Sequence, residues 1–266
     1  MKNLSAIRLA GLGLVSAGAM LATQTVSAKE FAGGEISGSA AVSNIYLFRG
    51  IDQSYLLTGS GDGPGAISGD ITYSNSGAYM GVWATSGLSG TNETDVYLGY
   101  GIELDSGLSV DLNVTSYVYS GNDKPAGMVD TDYIASYGGS YDQIGDYSEV
   151  ILTLGYATED YGVSFQYADN VAGWNGYTYL AISAESGDFS ATLGLNDPDE
   201  PVGQTFDYDT GHLDITYAYS DNLSFTVSKI ISADDEILVD VDAETSSTSY
   251  IDDDALFVVT YSLPIE

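Results

Sequence analysis

The chain contains no cysteine, which excludes a disulfide framework and any thiolate metal site. Basic residues are almost as scarce: six lysines and arginines stand against 38 aspartates and glutamates, a formal charge of −32. Such a chain makes a poor partner for nucleic acid or for an anionic lipid surface. No segment keeps a helical periodicity, and beyond the N-terminal segment no apolar run is long enough to cross a bilayer as a helix. A membrane protein of this composition would have to span as a closed barrel, in which every backbone group pairs between strands.

What is present begins with an export signal. Lys2 and Arg8 precede an apolar stretch from Leu9 to Ala22, and Val26-Ser27-Ala28 supplies the small-x-small pattern of a cleavage site. Residues 1–28 are therefore expected to be a signal peptide, and 29–266 a single outer-membrane β-barrel domain. The mature part keeps Lys29, Arg49, Lys124 and Lys229 as its only basic residues.

The most informative stretch runs from Ser43 to Ser86. Ile71 and Tyr73 share one strand face while Thr72 and Ser74 take the other, and Ser74-Asn75-Ser76-Gly77 has the residues of a tight hairpin turn. The run Tyr46-Leu47-Phe48-Arg49-Gly50-Ile51, then Tyr73-Ser74, Gly77, Tyr79 and Gly81-Val82-Trp83-Ala84 resembles the TorF-type porins of Gram-negative bacteria. That resemblance implies a β-barrel in the outer membrane of a Gram-negative bacterium, with no catalytic residues to carry over. The last strand departs from the family in having Pro264 inside its alternating Phe257, Val259, Tyr261, Leu263 and Ile265, and Glu266 after them. Recognition of that strand by the barrel-assembly machinery is the property this departure affects.

Period-two patterning predicts an all-β, antiparallel transmembrane barrel of twelve strands, near residues 36–49, 66–75, 77–86, 94–104, 107–119, 148–158, 161–169, 176–186, 187–196, 211–220, 222–231 and 255–265. The stretch Tyr133 to Tyr141 would add a pair and make fourteen. Leu108, Val110, Leu112 and Val114 alternate with Ser109, Asp111, Asn113 and Thr115, apolar outward and polar inward. Connections are expected to alternate between short periplasmic turns and long acidic outer loops, the long ones near 50–65, 87–93, 120–147, 170–175, 197–210 and 232–254. Tyr73, Tyr79, Trp83, Tyr100, Tyr156, Tyr177, Tyr217 and Tyr219 are candidates for aromatic girdles at the two interfaces.

Candidate functional residues are few. Arg49, placed at the end of the first strand, reads either as a lumen charge that shapes the field or as an ion-pair partner of a nearby carboxylate. Glu103 and Asp111 are pore and selectivity candidates. His212, the sole histidine, has Asp214 on the same face but no identifiable nucleophile, so the chain is read as non-enzymatic and His212 as a wet-lumen residue. No cofactor is called for, although Asp207, Asp209, Asp240, Asp242, Asp252, Asp253 and Asp254 in the long connections are weak candidates for Ca²⁺ or Mg²⁺. None of them completes a calcium-loop motif.

Twelve strands about 4.8 Å apart, tilted near 40°, close into a cylinder of backbone radius roughly 12 Å. Side chains narrow that to a lumen for small solutes. The expectation is a passive or weakly selective channel for small cationic or neutral solutes, its partners being those solutes, outer-membrane lipid and the assembly machinery. A homo-oligomer is allowed, but no residue marks an interface. The rival readings are a plugged structural or adhesive barrel with ion-binding loops, and a secreted soluble β-protein.

Overall fold

A computed structural model describes residues 29–53, 65–88, 91–120, 142–173, 177–198, 210–233 and 254–265. The expected signal peptide, the stretch 133–141, Lys124 and all of the metal-candidate aspartates except Asp254 lie outside these residues. The strands are β1 (Lys29–Phe31), β2 (Gly34–Ser43), β3 (Leu47–Phe48), β4 (Ile51–Asp52), β5 (Ala66–Asn75), β6 (Ala78–Leu88), β7 (Thr91–Glu103), β8 (Leu108–Ser120), β9 (Ser148–Ala157), β10 (Tyr161–Ala172), β11 (Tyr177–Ser186), β12 (Phe189–Pro198), β13 (Thr210–Ser220), β14 (Leu223–Ser232) and β15 (Leu256–Pro264). There is no helix among the described residues.

Neighbouring strands pair antiparallel from β5 through β15, and β2 joins β15 on one edge and β5 on the other, which closes a barrel of twelve strands. The twelve expected strands are all present. At the seam, β15 pairs with β2 only from Ser43 to Ser39, because it ends at Pro264. A proline there removes no ladder bond that another strand needs, and the next amide, Ile265 N–H, donates to the Gly38 carbonyl at 2.9 Å. β1 then takes the following stretch of the same β2 edge, with Lys29 opposite Ile36 and Phe31 opposite Gly34. It continues the line of β15.

The alternation read from the sequence sets the two faces. Leu98, Tyr100, Ile102, Leu108, Val110, Leu112 and Val114 are exposed on the outside of the wall, and Asp111, Asn113 and Thr115 are buried on the inside. An apolar exterior around a polar interior is the arrangement of a barrel set in lipid. Leu98, 60% exposed near the middle of β7, gives a direct check. Leu98→Arg should cost about 2–4 kcal/mol of folding stability in bilayers, the cost of a cation at mid-membrane depth, read from denaturant titration in vesicles. A cost near zero would place this face in water.

Three expectations are corrected. The first barrel strand stops at Ser43 rather than Arg49, and residues 46–52 leave the wall. The connections expected to be long at 87–93 and 170–175 shrink, because β6 runs to Leu88, β7 begins at Thr91 and β10 runs to Ala172. Long strands there carry the polar alternation beyond where apolar side chains mark it. Finally, Tyr79, Trp83 and Tyr177 share the inward parity of Thr85 and Tyr179, so they cannot belong to a girdle. Tyr73, Tyr100, Tyr156, Tyr217 and Tyr219 do face out, joined by Tyr161, Phe189 and Tyr261. All of these sit toward the short-turn end, so the described aromatic belt occupies one interface.

Candidate lumen constriction

The chain leaves the wall at Asn44. Its side-chain amide donates to the Phe257 carbonyl at 2.9 Å and accepts from Val259 N–H at 2.7 Å. A side chain thus takes over the ladder of β15, and the backbone is released to turn inward. β3 and β4 then form a miniature hairpin, Leu47 opposite Asp52 and Phe48 opposite Ile51. Its two turn residues, Arg49 (φ +49°) and Gly50 (φ +82°), are both left-handed, as a two-residue turn matching strand twist requires.

This hairpin enters the long-loop half of the lumen and reaches across it. The Arg49 guanidinium makes a bidentate pair with Glu149 near the start of β9, at 2.9 and 2.7 Å. Its carbonyl accepts from Asn196 of β12 at 3.2 Å, and its charge lies over the rings of Phe48, Tyr177 and Tyr179 at 4.8, 5.4 and 4.4 Å. Burial works against the charged guanidinium, but Glu149 together with Tyr177 and Tyr117 outweighs it and holds the Arg49 pKa well above the usual arginine range. Both readings of Arg49 therefore meet in one residue: it is a lumen charge, and it is ion-paired, with a partner a hundred positions away in sequence.

The tip rests on His212 of β13. A Cβ at Gly50 would overlap the Cβ of His212, so only glycine fits that approach. His212 is 1% exposed, stacked on Tyr179 with its Nε2 3.1 Å from the tyrosine oxygen and its Nδ1 3.2 Å from Asp214. The histidine expected to be wet is packed. A register shift between Gly211 and His212 adjusts the wall at this point.

On the other side, the Tyr46 hydroxyl donates to Glu93 of β7 at 2.8 Å, and Tyr119 of β8 donates to the same carboxylate at 3.4 Å. Burial, then the Glu93 and Asp95 charges, push the Tyr46 pKa well above the usual tyrosine range, so its hydroxyl stays a donor. Tyr117, 1% exposed, donates to Glu149 at 2.9 Å. With Tyr46, Leu47, Arg49, Tyr117 and Tyr179 all buried, the lumen is filled at the depth of the hairpin.

Toward the short-turn end the wall is polar and lower in relief. Tyr79 faces Gly99 and Tyr97 faces Gly81 across β6 and β7. A Cβ at either glycine would overlap the opposing ring, so both tyrosines lie along the wall. Asp111 accepts from Tyr79 at 2.8 Å. Glu103, the last residue of β7, is exposed at the short-turn mouth, one diagonal step from Asp111. Neither touches the Arg49 hairpin. Asp254 is exposed, and among the described residues no group of three His, Cys, Asp or Glu side chains could hold a metal ion.

Glu149, Asn196, Tyr177 and Tyr179 were not singled out in the sequence as partners of Arg49, nor Glu93 and Asp95 as lumen carboxylates. Inward parity was a usable signal for Glu93, Asp95 and Glu149, since each is a carboxylate inside a strand pattern. Which of them would meet Arg49 depends on barrel closure.

Known proteins bear on the family. No curated protein matches the sequence. The solved KdgM porin is similar with a TM-score of 0.44 at 10% identity, over 86% of this chain and 98% of that one. OccK5 (OpdH) of Pseudomonas aeruginosa gives 0.41 at 13% identity, over 90% and 69%, and the outer membrane protein OprD from the same organism 0.42 at 11%, over 89% and 66%. The family comes from a match of sequence: a family model covers residues 27–262, from the expected cleavage site to two residues short of the end of β15, and by it the chain belongs to the Gcw_chp family, bacterial proteins of unknown function.

Proposed function

We propose that the protein is a Gram-negative outer-membrane channel for small cationic or neutral solutes, narrowed by an inward hairpin from its first long connection. The observation that carries this reading is the lumen wall. Asp70, Glu93, Asp95, Asp111 and Glu149 are buried on its inner face, and Arg49 is the one arginine among them. A barrel serving only as a scaffold has no use for carboxylates inside, where burial is costly. A field of this sign gathers cations and repels anions, more strongly at low ionic strength. The resemblance to TorF-type porins and the export signal expected at 1–28 support this reading, under which the short turns lie in the periplasm.

The test is the reversal potential of the refolded mature protein in planar bilayers under a salt gradient. Cation preference is expected, and Glu103→Gln and Asp111→Asn should each lower it measurably. Anion preference would sink the reading. A second reading, a plugged structural or adhesive barrel, draws support from the filled lumen around Arg49. Silence from an inserted, heat-modifiable protein, in the wild type and after release of the hairpin alike, would favour that one.

A further inference from the structure

Glu93 and Asp95 sit two apart on the inward face of β7, each 4% exposed. Glu93 is satisfied by the Tyr46 and Tyr119 hydroxyls. Asp95 is satisfied only in part: its carboxyl meets that of Glu93, and its Oδ1 is buried with no hydrogen-bond partner among the described residues. Neither carboxylate has a basic side chain against it among the described residues, and the arginine nearest in the lumen is committed to Glu149 through both terminal nitrogens. Two buried carboxylates side by side call for a compensating positive charge.

The surroundings specify its kind. Directly opposite Asp95 in register stand Trp83 on β6 and Tyr117 on β8, while Tyr119 stands opposite Glu93. The Tyr46 ring completes the enclosure, its centroid 5.9 Å from that of Trp83. Ca²⁺ and Mg²⁺ are held mainly by several carboxylates and carbonyls, and among the described residues no third His, Cys, Asp or Glu joins the pair in a metal-holding group. Aromatic faces beside a carboxylate suit a weakly hydrated cation, whose charge is shared between the ion pair and the rings. We propose that Glu93, Asp95, Tyr46, Trp83, Tyr117 and Tyr119 form a lumen site for a small organic ammonium ion. This rests on the cation-channel reading for its place in transport, and names the solute class that channel would hold. Because Tyr46 belongs to the hairpin, occupancy of the site and the position of the hairpin are coupled.

Trp83 provides the readout, since the chain has two tryptophans and Trp174→Phe leaves it alone. The refolded barrel in detergent is titrated with methylammonium chloride, replacing sodium chloride at constant ionic strength. A saturable change in Trp83 emission is expected. Its half-point should move to at least about tenfold higher concentration in Asp95→Asn, the loss of one close ionic contact in a dry site. Glu93→Gln, whose amide oxygen still accepts from one of the two tyrosine hydroxyls, serves where Asp95→Asn does not fold. Asp105→Asn, the same charge change in an exposed turn, should not shift it. No saturable change, a half-point in both Asp95→Asn and Glu93→Gln equal to that of the wild type, or a response to pH alone, meaning that a shared proton fills the role, would each overturn the proposal. Binding is read here without flux. Saturable binding with silent bilayers would remove the channel and leave the site, whereas cation-selective conductance without binding would remove the site alone.

Discussion

Arg49→Met should open the lumen. The substitution leaves Glu149 buried with only Tyr117 to meet it, and stranding one partner of a buried ion pair costs about 3–5 kcal/mol. That penalty falls on the closed arrangement alone, because a hairpin that swings out lets water reach the carboxylate. The ratio of open to closed hairpins should therefore rise on the order of a hundredfold or more. Single-channel recording checks it: larger and longer-lived conductance steps than in the wild type. Glu149→Leu should act in the same direction by stranding the guanidinium. The double variant Arg49→Met with Glu149→Leu buries no charge, and should recover much of the closed behaviour. Additive effects in the double variant would show that the pair does not hold the hairpin.

Gly50→Ala attacks the same hairpin through shape. An L-residue at φ +82° costs about 1–2 kcal/mol by itself, and the new Cβ would overlap His212, whose ring is fixed against Tyr179. The hairpin can relieve this only by lifting away from β13. Limited trypsin digestion of the inserted protein reads the movement, since Arg49 is the mature chain's one arginine and is buried in the wild type. Cleavage after Arg49 is expected to become several-fold faster or more. Gly187→Ala is the control: that glycine also has a left-handed φ, +58°, but a Cβ there meets open space, so it should leave Arg49 protected. Equal rates in the wild type and Gly50→Ala would mean that the tip is not seated on His212.

The wall of this protein is legible in its sequence because a strand in lipid is constrained one residue at a time. Leu108, Val110, Leu112 and Val114 each face hydrocarbon, and the polar residues between them face inward, so the pattern declares both faces. The hairpin is a different matter. Tyr46, Leu47 and Phe48 look like the continuation of the first strand in the local pattern, and nothing nearby says that Asn44 will hand over the ladder of β15 to its own side chain. The Glu149 partner of Arg49 and the His212 seat of Gly50 are set by pairings between distant strands. Only the turn chemistry was local: Arg-Gly between Leu47-Phe48 and Ile51-Asp52 is compatible with a two-residue hairpin, and the glycine could have suggested a break after residue 48. Tyr79 and Trp83 were misplaced for a similar reason. An aromatic near a strand end suits an interface or a lumen wall equally, and only parity against Met80 and Val82 decides.

Asp52 sits three residues from Arg49 on the other arm of the same hairpin, and both are buried. A unit charge crossing the full membrane potential exchanges about 2.3 kcal/mol per 100 mV with the field. The hairpin carries one charge of each sign, so when it moves as a body the two contributions oppose each other. What the electric field across the membrane can do to this element is therefore small. Its position answers instead to the chemistry of the lumen that surrounds it, and a solute, rather than a voltage, is the stimulus for which such a neutral element is suited.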